Sequence, residues 1–271
     1  MKARWLGPVL TILLAVLLAA LLGRTVSPGA GIYEEPLSPW VVLAIGTFGK
    51  LLYLVIATWV SALNVGKFEP GTPTRTAWRL LSVGLGLLVA GQILIAGYQF
   101  VLGIEVPFPS LVDVFFILAY PLIVGALAMF LRAYTSSGFP IGPASERIWL
   151  AAGVTVLCAV IGFPILRPVV TTPAPFLQTL LNVVYPVMDF LLLVPAVLLI
   201  RISLRFRGGA VWKVWATLLA GLVFLCVADT LFAYFFQLGR ADLVDVVDAT
   251  YLLAYGLLGL GVLYQYELLT E

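Results

Sequence analysis

Long apolar runs separated by short polar segments dominate the chain. Eight of them approach or exceed the length of about 20 residues that a helix needs to cross a bilayer. They are predicted at 5–23, 39–62, 77–101, 111–133, 147–167, 177–201, 211–236 and 243–266. The pattern predicts an all-α polytopic membrane protein with eight transmembrane helices. A signal peptide is the alternative for the first run, because Lys2 and Arg4 precede it.

The second half of the chain repeats features of the first. Asp113 and Tyr120 of the fourth run return in the eighth run, at the same spacing, as Asp248 and Tyr255. The third and seventh runs also match without a gap. A unit of four helices gives both copies the same orientation, which predicts a parallel repeat about an axis along the membrane normal. The predicted units are residues 1–136 and 137–271.

Positive charge is unevenly distributed between alternate loops. With the N-terminus inside, eleven Lys and Arg residues fall in inner segments and three in outer ones. Cytoplasmic loops of membrane proteins carry such an excess, so both termini are predicted to be cytoplasmic. The inner segment 201–213 is the most basic, with Arg201, Arg205, Arg207 and Lys213. Anionic lipid headgroups are its expected partners, and a cytoplasmic protein is the alternative.

Composition narrows the function classes. The chain is 62% hydrophobic and 10% charged, against about 25% charged in an ordinary soluble domain. This excludes a soluble enzyme, a disordered tail and a nucleic-acid-binding module. The chain has no histidine, which excludes His-ligated metals and His-based catalysis. No catalytic set, metal site or certain cofactor is predicted.

Two charged residues lie near the middle of their apolar runs, at nearly equivalent positions of the two halves. At about 1.5 Å per residue, Lys50 and Asp189 lie roughly 16 and 18 Å into their runs. A charge in hydrocarbon is costly and marks a functional site by default. We therefore expect Lys50 and Asp189 to pair, either docking the halves or lining a ligand site. Asp229, the repeat mate of Gln92, is the alternative partner of Lys50, a ligand group itself, or a group that hydrogen-bonds to a neighbouring helix.

Acidic residues near the starts of the fourth and eighth runs have a capping pattern. Ser110 precedes Asp113 by three residues, and Asp245 precedes Asp248 by three. Such side chains satisfy the free N–H groups of a helix start, so helix capping is the predicted role of all four. A cation site formed by Asp242, Asp245 and Asp248 is the alternative.

Aromatic residues cluster at the outer level of the predicted bundle. Tyr120 and Tyr255 are repeat mates about two turns below the predicted caps, and Tyr185 stands one turn before Asp189. Packing in an interfacial belt is one interpretation, and a pocket for a lipid, quinone or other apolar molecule is the other. The candidate ligand-binding residues are Lys50, Gln92, Tyr120, Tyr185, Asp189, Asp229 and Tyr255.

Three segments carry a resemblance to a known family: Pro109–Leu122, Tyr185–Asp189 and Ala228–Tyr234. They resemble the polytopic membrane input region that precedes diguanylate cyclases and sensor histidine kinases in bacteria and archaea. The resemblance covers the third to eighth runs. It implies that Asp113, Asp189 and Asp229 are the family's recurrent acids, and that the chain lies in a prokaryotic inner membrane.

No output domain follows the last run before Glu271, so signalling is expected to need a separate protein partner. The first functional hypothesis is therefore a non-enzymatic, sensor-like or accessory membrane subunit that binds an apolar or lipid-like ligand, or a partner protein. A secondary transporter with a midplane Lys/Asp site between parallel repeats is the alternative. An intramembrane enzyme comes third, because no nucleophile and base stand together in the sequence.

Overall fold

The computed structural model describes residues 5–26, 38–139, 142–171, 175–237 and 243–270. Helices dominate these residues, and no strand occurs among them. The eight α-helices are α1 (Leu6–Val26), α2 (Pro39–Val65), α3 (Pro73–Ala96), α4 (Leu111–Ser136), α5 (Ala144–Thr171), α6 (Phe176–Ser203), α7 (Ala210–Gln237) and α8 (Val244–Leu268). The prediction of an all-helical membrane protein is confirmed at this level.

Seven of the described helices, α2 to α8, are long and apolar enough to cross a membrane. The apolar part of α1, Leu6–Leu22, is shorter than the others. The chain is therefore a multi-pass helical protein, and the predicted eighth span stays a prediction.

The starts of three helices are encoded locally. Ser38 and Thr72 accept hydrogen bonds from Val41 N and Arg75 N, which satisfies free N–H groups at the starts of α2 and α3. Proline follows each of these N-caps, at a position where a missing N–H has no cost. At α4, Ser110 caps the helix together with Asp113. The short polar loops thus fix where the apolar helices begin.

Six helices form a closed ring of neighbours. Around the ring, α2 packs on α3, α3 on α4, α4 on α6, α6 on α7, α7 on α8, and α8 on α2. Outside it, α1 lies against α8 and α2, and α5 lies against α6 and α7. In the apolar window of α8, 67% of the residues are buried, whereas no described side chain of α5 is buried. The ring therefore encloses the protein's interior, and α5 is peripheral.

Aromatic packing joins α3, α4 and α7 near one end of the ring. The rings of Trp78 and Trp215 both pack edge-on against Phe130, with centroids 5.2 and 4.9 Å away. Trp78 is 1% exposed. Edge-to-face pairs of this kind contribute about 0.5–1.5 kcal/mol beyond the apolar area that they bury.

Glycines set the closest helix crossings. A Cβ added at Gly84 of α3 would lie 2.8 Å from Ile123 of α4, and one at Gly221 of α7 would lie 2.9 Å from the backbone of Leu258 of α8. Small residues of this kind allow close approach of membrane helices, which drive their association by packing rather than by hydrophobic burial. The two most extensive helix contacts thus both depend on a missing side chain.

Candidate functional site

Four ring helices meet at one hydrogen-bonded group, which we call the acid–tyrosine cluster: Tyr120 of α4, Asp189 of α6, Asp229 of α7 and Tyr251 of α8. The hydroxyl of Tyr120 lies 2.8 Å from Asp189 Oδ1 and 2.5 Å from Asp229 Oδ2. Tyr251 donates its own hydroxyl hydrogen to Asp229 Oδ1 at 2.5 Å. The structure therefore brings together three predicted candidates, Tyr120, Asp189 and Asp229.

One oxygen of the cluster is left without a partner. Asp189 is 5% exposed, and its Oδ2 atom is buried with no hydrogen-bond partner. The thiol of Cys226 lies 3.9 Å from the backbone oxygen of Asp189. A buried polar atom that lacks a partner is costly and calls for a specific explanation.

A small cavity adjoins the cluster. The space open to the centre of a water molecule is about 20 Å³, enough for one ordered water. With the helices in this arrangement, the cavity is too small for a quinone ring or a lipid tail. It is lined by Leu88, Phe116, Tyr120, Ile123, Tyr185, Leu225, Asp229, Tyr251 and Tyr255.

Lys50 does not join the two acids. Its Nζ atom lies 2.6 Å from Asp248 Oδ1, and Lys50 is 7% exposed. The predicted pairing with Asp189, or with Asp229, is wrong. The physical reason is the ring order: within the ring, the neighbours of α2 are α3 and α8. Residues at similar depths in α2 and α6 therefore need not touch.

The ion pair nevertheless borders the cluster. Lys50 Nζ lies 5.8 Å from the centre of the Tyr251 ring, which is a cation–π distance. Tyr251 therefore contacts Asp229 through its hydroxyl and faces Lys50 with its ring. Tyr255 stacks on Tyr251 with ring centroids 6.1 Å apart and lines the cavity beside it.

The capping prediction has different outcomes at the starts of α4 and α8. Asp113 Oδ2 accepts from Ser110 N at 2.7 Å, which completes a capping box. Asp113 Oδ1 accepts from Tyr185 at 2.8 Å, so the same carboxyl also links α4 to α6.

At the start of α8, the capping prediction is wrong for Asp248. The helix begins at Val244 with Leu243 as N-cap, so that Asp245 lies in the first turn and Asp248 in the second. Asp248 binds Lys50 instead of a backbone N–H group. Asp242, the third member of the alternative cation site, lies outside the described residues.

Gln92 stays apart from the cluster. Its side-chain amide donates to the backbone oxygen of Thr47 at 3.3 Å and ties α3 to α2. Thr47 donates in turn to Gln99 at 2.7 Å, in the π-helical turn Gly97–Val101 that follows α3. Such turns occur mostly as local insertions in α-helices, often near functional sites. Thr47 and Gln99 were not predicted, because neither is charged nor repeated.

Tyr251 is the cluster member that sequence reasoning missed as a ligand group. A signal was present: Asp248, Tyr251 and Tyr255 follow one another at intervals of three and four residues. Residues so spaced lie on one face of a helix. The whole face points into the ring, where it meets Lys50 and Asp229.

Two basic residues of the predicted lipid-binding segment 201–213 already contact other parts of the protein. Arg201 forms a two-point ion pair with Glu146, and Nε lies 2.5 Å from Oε1. Lys213 Nζ lies 3.6 Å from the centre of the Tyr264 ring. Arg205 and Arg207 are exposed, and Lys213 is exposed as well. Three of the four basic residues are therefore accessible to headgroups.

No family model, curated protein or solved structure matches the chain. The class that the fold and the site define is accordingly broad: a multi-pass helical membrane protein with a buried acid–tyrosine cluster inside a ring of six helices.

Proposed function

We propose that the protein is a non-enzymatic, sensor-like or accessory membrane subunit whose responsive site is the acid–tyrosine cluster. One observation carries the proposal. Tyr120 of the first half contacts Asp189 and Asp229 of the second half beside a cavity, with one carboxyl oxygen unpartnered. A ligand or partner that changes this cluster changes how the two halves hold each other.

The proposed architecture is eight spans in two parallel units, residues 1–136 and 137–271. Support comes from equivalent contacts: α2 packs on α8 as α6 packs on α4. Both seams place a polar bond at equivalent acids, Asp248 with Lys50 and Asp113 with Tyr185. Gly84 and Gly221, which are repeat mates, make equivalent close crossings. The proposed location is a prokaryotic inner membrane, with both termini cytoplasmic.

The proposed partner is a membrane or cytoplasmic signalling protein, in keeping with the resemblance to membrane input regions. The ligand fitted by the present cavity is very small, and an apolar molecule would require the helices to separate. Arg205 and Arg207 are the proposed contacts for anionic headgroups, because both are exposed at the end of α6.

The test is native mass spectrometry of the protein extracted gently from its own membrane. Asp229→Asn is compared with Asp113→Asn, a buried acid in α4 that does not contact the cluster. We expect a defined protein partner or small molecule with the wild type and with Asp113→Asn, reduced at least several-fold in Asp229→Asn. A wild-type protein that carries neither partner nor small molecule contradicts the proposal.

A secondary transporter is the second candidate. The observation that favours it is the buried Lys50–Asp248 pair beside the acid–tyrosine cluster, since carriers place ion sites between repeats near the midplane. The test is proton uptake into sealed vesicles that enclose a pH-sensitive dye. A carrier predicts uptake that Lys50→Ala abolishes while assembly survives. Vesicles containing wild-type protein that match empty vesicles exclude proton-coupled transport under these conditions.

A further inference from the structure

Hydrogen counting constrains the protonation of the cluster. The Tyr120 hydroxyl has one hydrogen, yet its oxygen lies within hydrogen-bond distance of two carboxyl oxygens. Tyr120 can donate to one of them, and the other contact needs a hydrogen from the carboxyl side. Tyr251 cannot supply it, because its own hydrogen bonds to Asp229 Oδ1. One of Asp189 and Asp229 therefore carries an acid proton.

Among the described residues, no basic group bonds to either acid. Lys50, which lies beside Tyr251, is bonded to Asp248 at 2.6 Å. At neutral pH, two carboxylates this close together in a low-dielectric interior hold one proton between them instead of both being charged. The titratable groups around the pair are Tyr120 on α4, Cys158 on α5, Tyr185 on α6, Cys226 on α7, Tyr251, Tyr255 and Asp248 on α8, and Lys50 on α2.

A second observation points to exchange of that proton. Asp189 Oδ2 is buried without a partner, on a residue that is 5% exposed. The adjoining cavity, which Tyr120 and Asp229 line, has room for one water. A water there stands next to Asp229 and can accept a proton from the acid pair through that residue.

We infer that the acid–tyrosine cluster is a binding site for one exchangeable proton, held by Asp189 and Asp229 and reached through the water-sized cavity. On release, the carboxyl O–H bond breaks and the proton passes to water as hydronium. Two carboxylates then remain for the single hydrogen of Tyr120, so that one contact between α4 and the second half is lost. This inference deepens the proposed function and rests on it for its biological meaning.

The experiment is infrared spectroscopy of the protein in lipid vesicles, following the C=O stretch of protonated carboxyl groups at neutral pH. We expect a band of one buried carboxylic acid that shifts to lower frequency in D₂O and disappears at alkaline pH. Asp189→Asn and Asp229→Asn each remove it, whereas Asp113→Asn retains it. Tyr120→Phe keeps both acids and shifts the band.

Three results would overturn the inference: no band in the wild type at neutral pH, a band that neither cluster variant changes, or a band that does not respond to D₂O. The wild-type measurements in H₂O and D₂O need no variant, so misfolding of a mutant cannot obscure them. Native mass spectrometry reads partner binding independently. If the partner is retained but the band is absent, this inference fails and the proposed function stands. If the band is present but no partner or small molecule is found, the proposed function fails and this inference stands.

Discussion

Lys50 Nζ and Asp248 Oδ1 lie 2.6 Å apart and join α2 to α8 inside the ring. The side chains are 9% and 19% exposed, so neither charge has ready access to bulk water. In such a setting an ion pair gives little net stability over an apolar pair, but either charge alone is severely disfavoured. The two residues therefore behave as one unit toward substitution.

We predict that Lys50→Met or Asp248→Leu alone destabilises the protein by about 3–5 kcal/mol, because each leaves an uncompensated buried charge. The double variant should lose much less than the sum of the two. The measurement is a double-mutant cycle by denaturant unfolding in detergent micelles. Additive losses would show that the two side chains do not interact.

Gly46→Ala should disturb the same ion pair from the backbone side. An added Cβ at Gly46 would lie 2.6 Å from Asp248 Oδ2, and such overpacking costs about 1–3 kcal/mol. Gly86→Ala is the matched control in α3, because its Cβ would meet Thr58 at an ordinary 3.7 Å. Helix propensity predicts a gain of up to about 1 kcal/mol for that control. Equal thermal stability of the two variants would contradict the crowding at Asp248.

Removing the Tyr120 hydroxyl should destabilise the bundle more than removing that of Tyr255. Tyr120→Phe deprives two buried carboxyl oxygens of their shared partner, at a cost of about 1–3 kcal/mol. Tyr255→Phe keeps the ring that stacks on Tyr251 and should change stability by less than about 1 kcal/mol. Thermal unfolding in one detergent compares the two variants, and a reversed order would exclude the central role of Tyr120.

The ion pair between Arg201 and Glu146 should matter far less than the buried one. Its side chains are 23% and 42% exposed, and exposed pairs contribute about 0–1 kcal/mol. Arg201→Gln should therefore lower unfolding free energy by no more than about 1 kcal/mol, and less at high salt. A loss as large as that of Lys50→Met would mean that α5 is held to the bundle mainly through this pair.

The helices could be predicted from the sequence because each one is marked by residues within or beside its own segment. Apolar length marks α2 to α8, and Ser110 with Asp113 marks a helix start without reference to any other part of the chain. The acids Asp189 and Asp229 could also be singled out, since a charge in an apolar run stands out alone. These features need no knowledge of which helices are neighbours.

The pairing of side chains could not be read in the same way. Lys50 and Asp189 occupy similar depths, but depth leaves the position around the ring undetermined, and α2 borders α8. The wrong capping prediction for Asp248 has a similar cause. Asp248 had two possible partners, a nearby backbone N–H group or a cation distant in the sequence. In the folded protein its partner is Lys50. The local spacing of residues predicts the backbone N–H partner but contains no information about a cation on another helix.

The first and last helices lie side by side, and the start of one meets the end of the other: a Cβ added at Gly7 would lie 3.1 Å from Tyr264 Cε1. The packing of the helices therefore does not depend on the chain starting at α1 and ending at α8. A circular permutant that joins residue 270 to residue 5 through a short linker, and opens the chain between 139 and 142, would keep every ring contact. Two separately expressed pieces, divided at the same place, also have complementary surfaces. We expect them to reassemble into the same ring of helices.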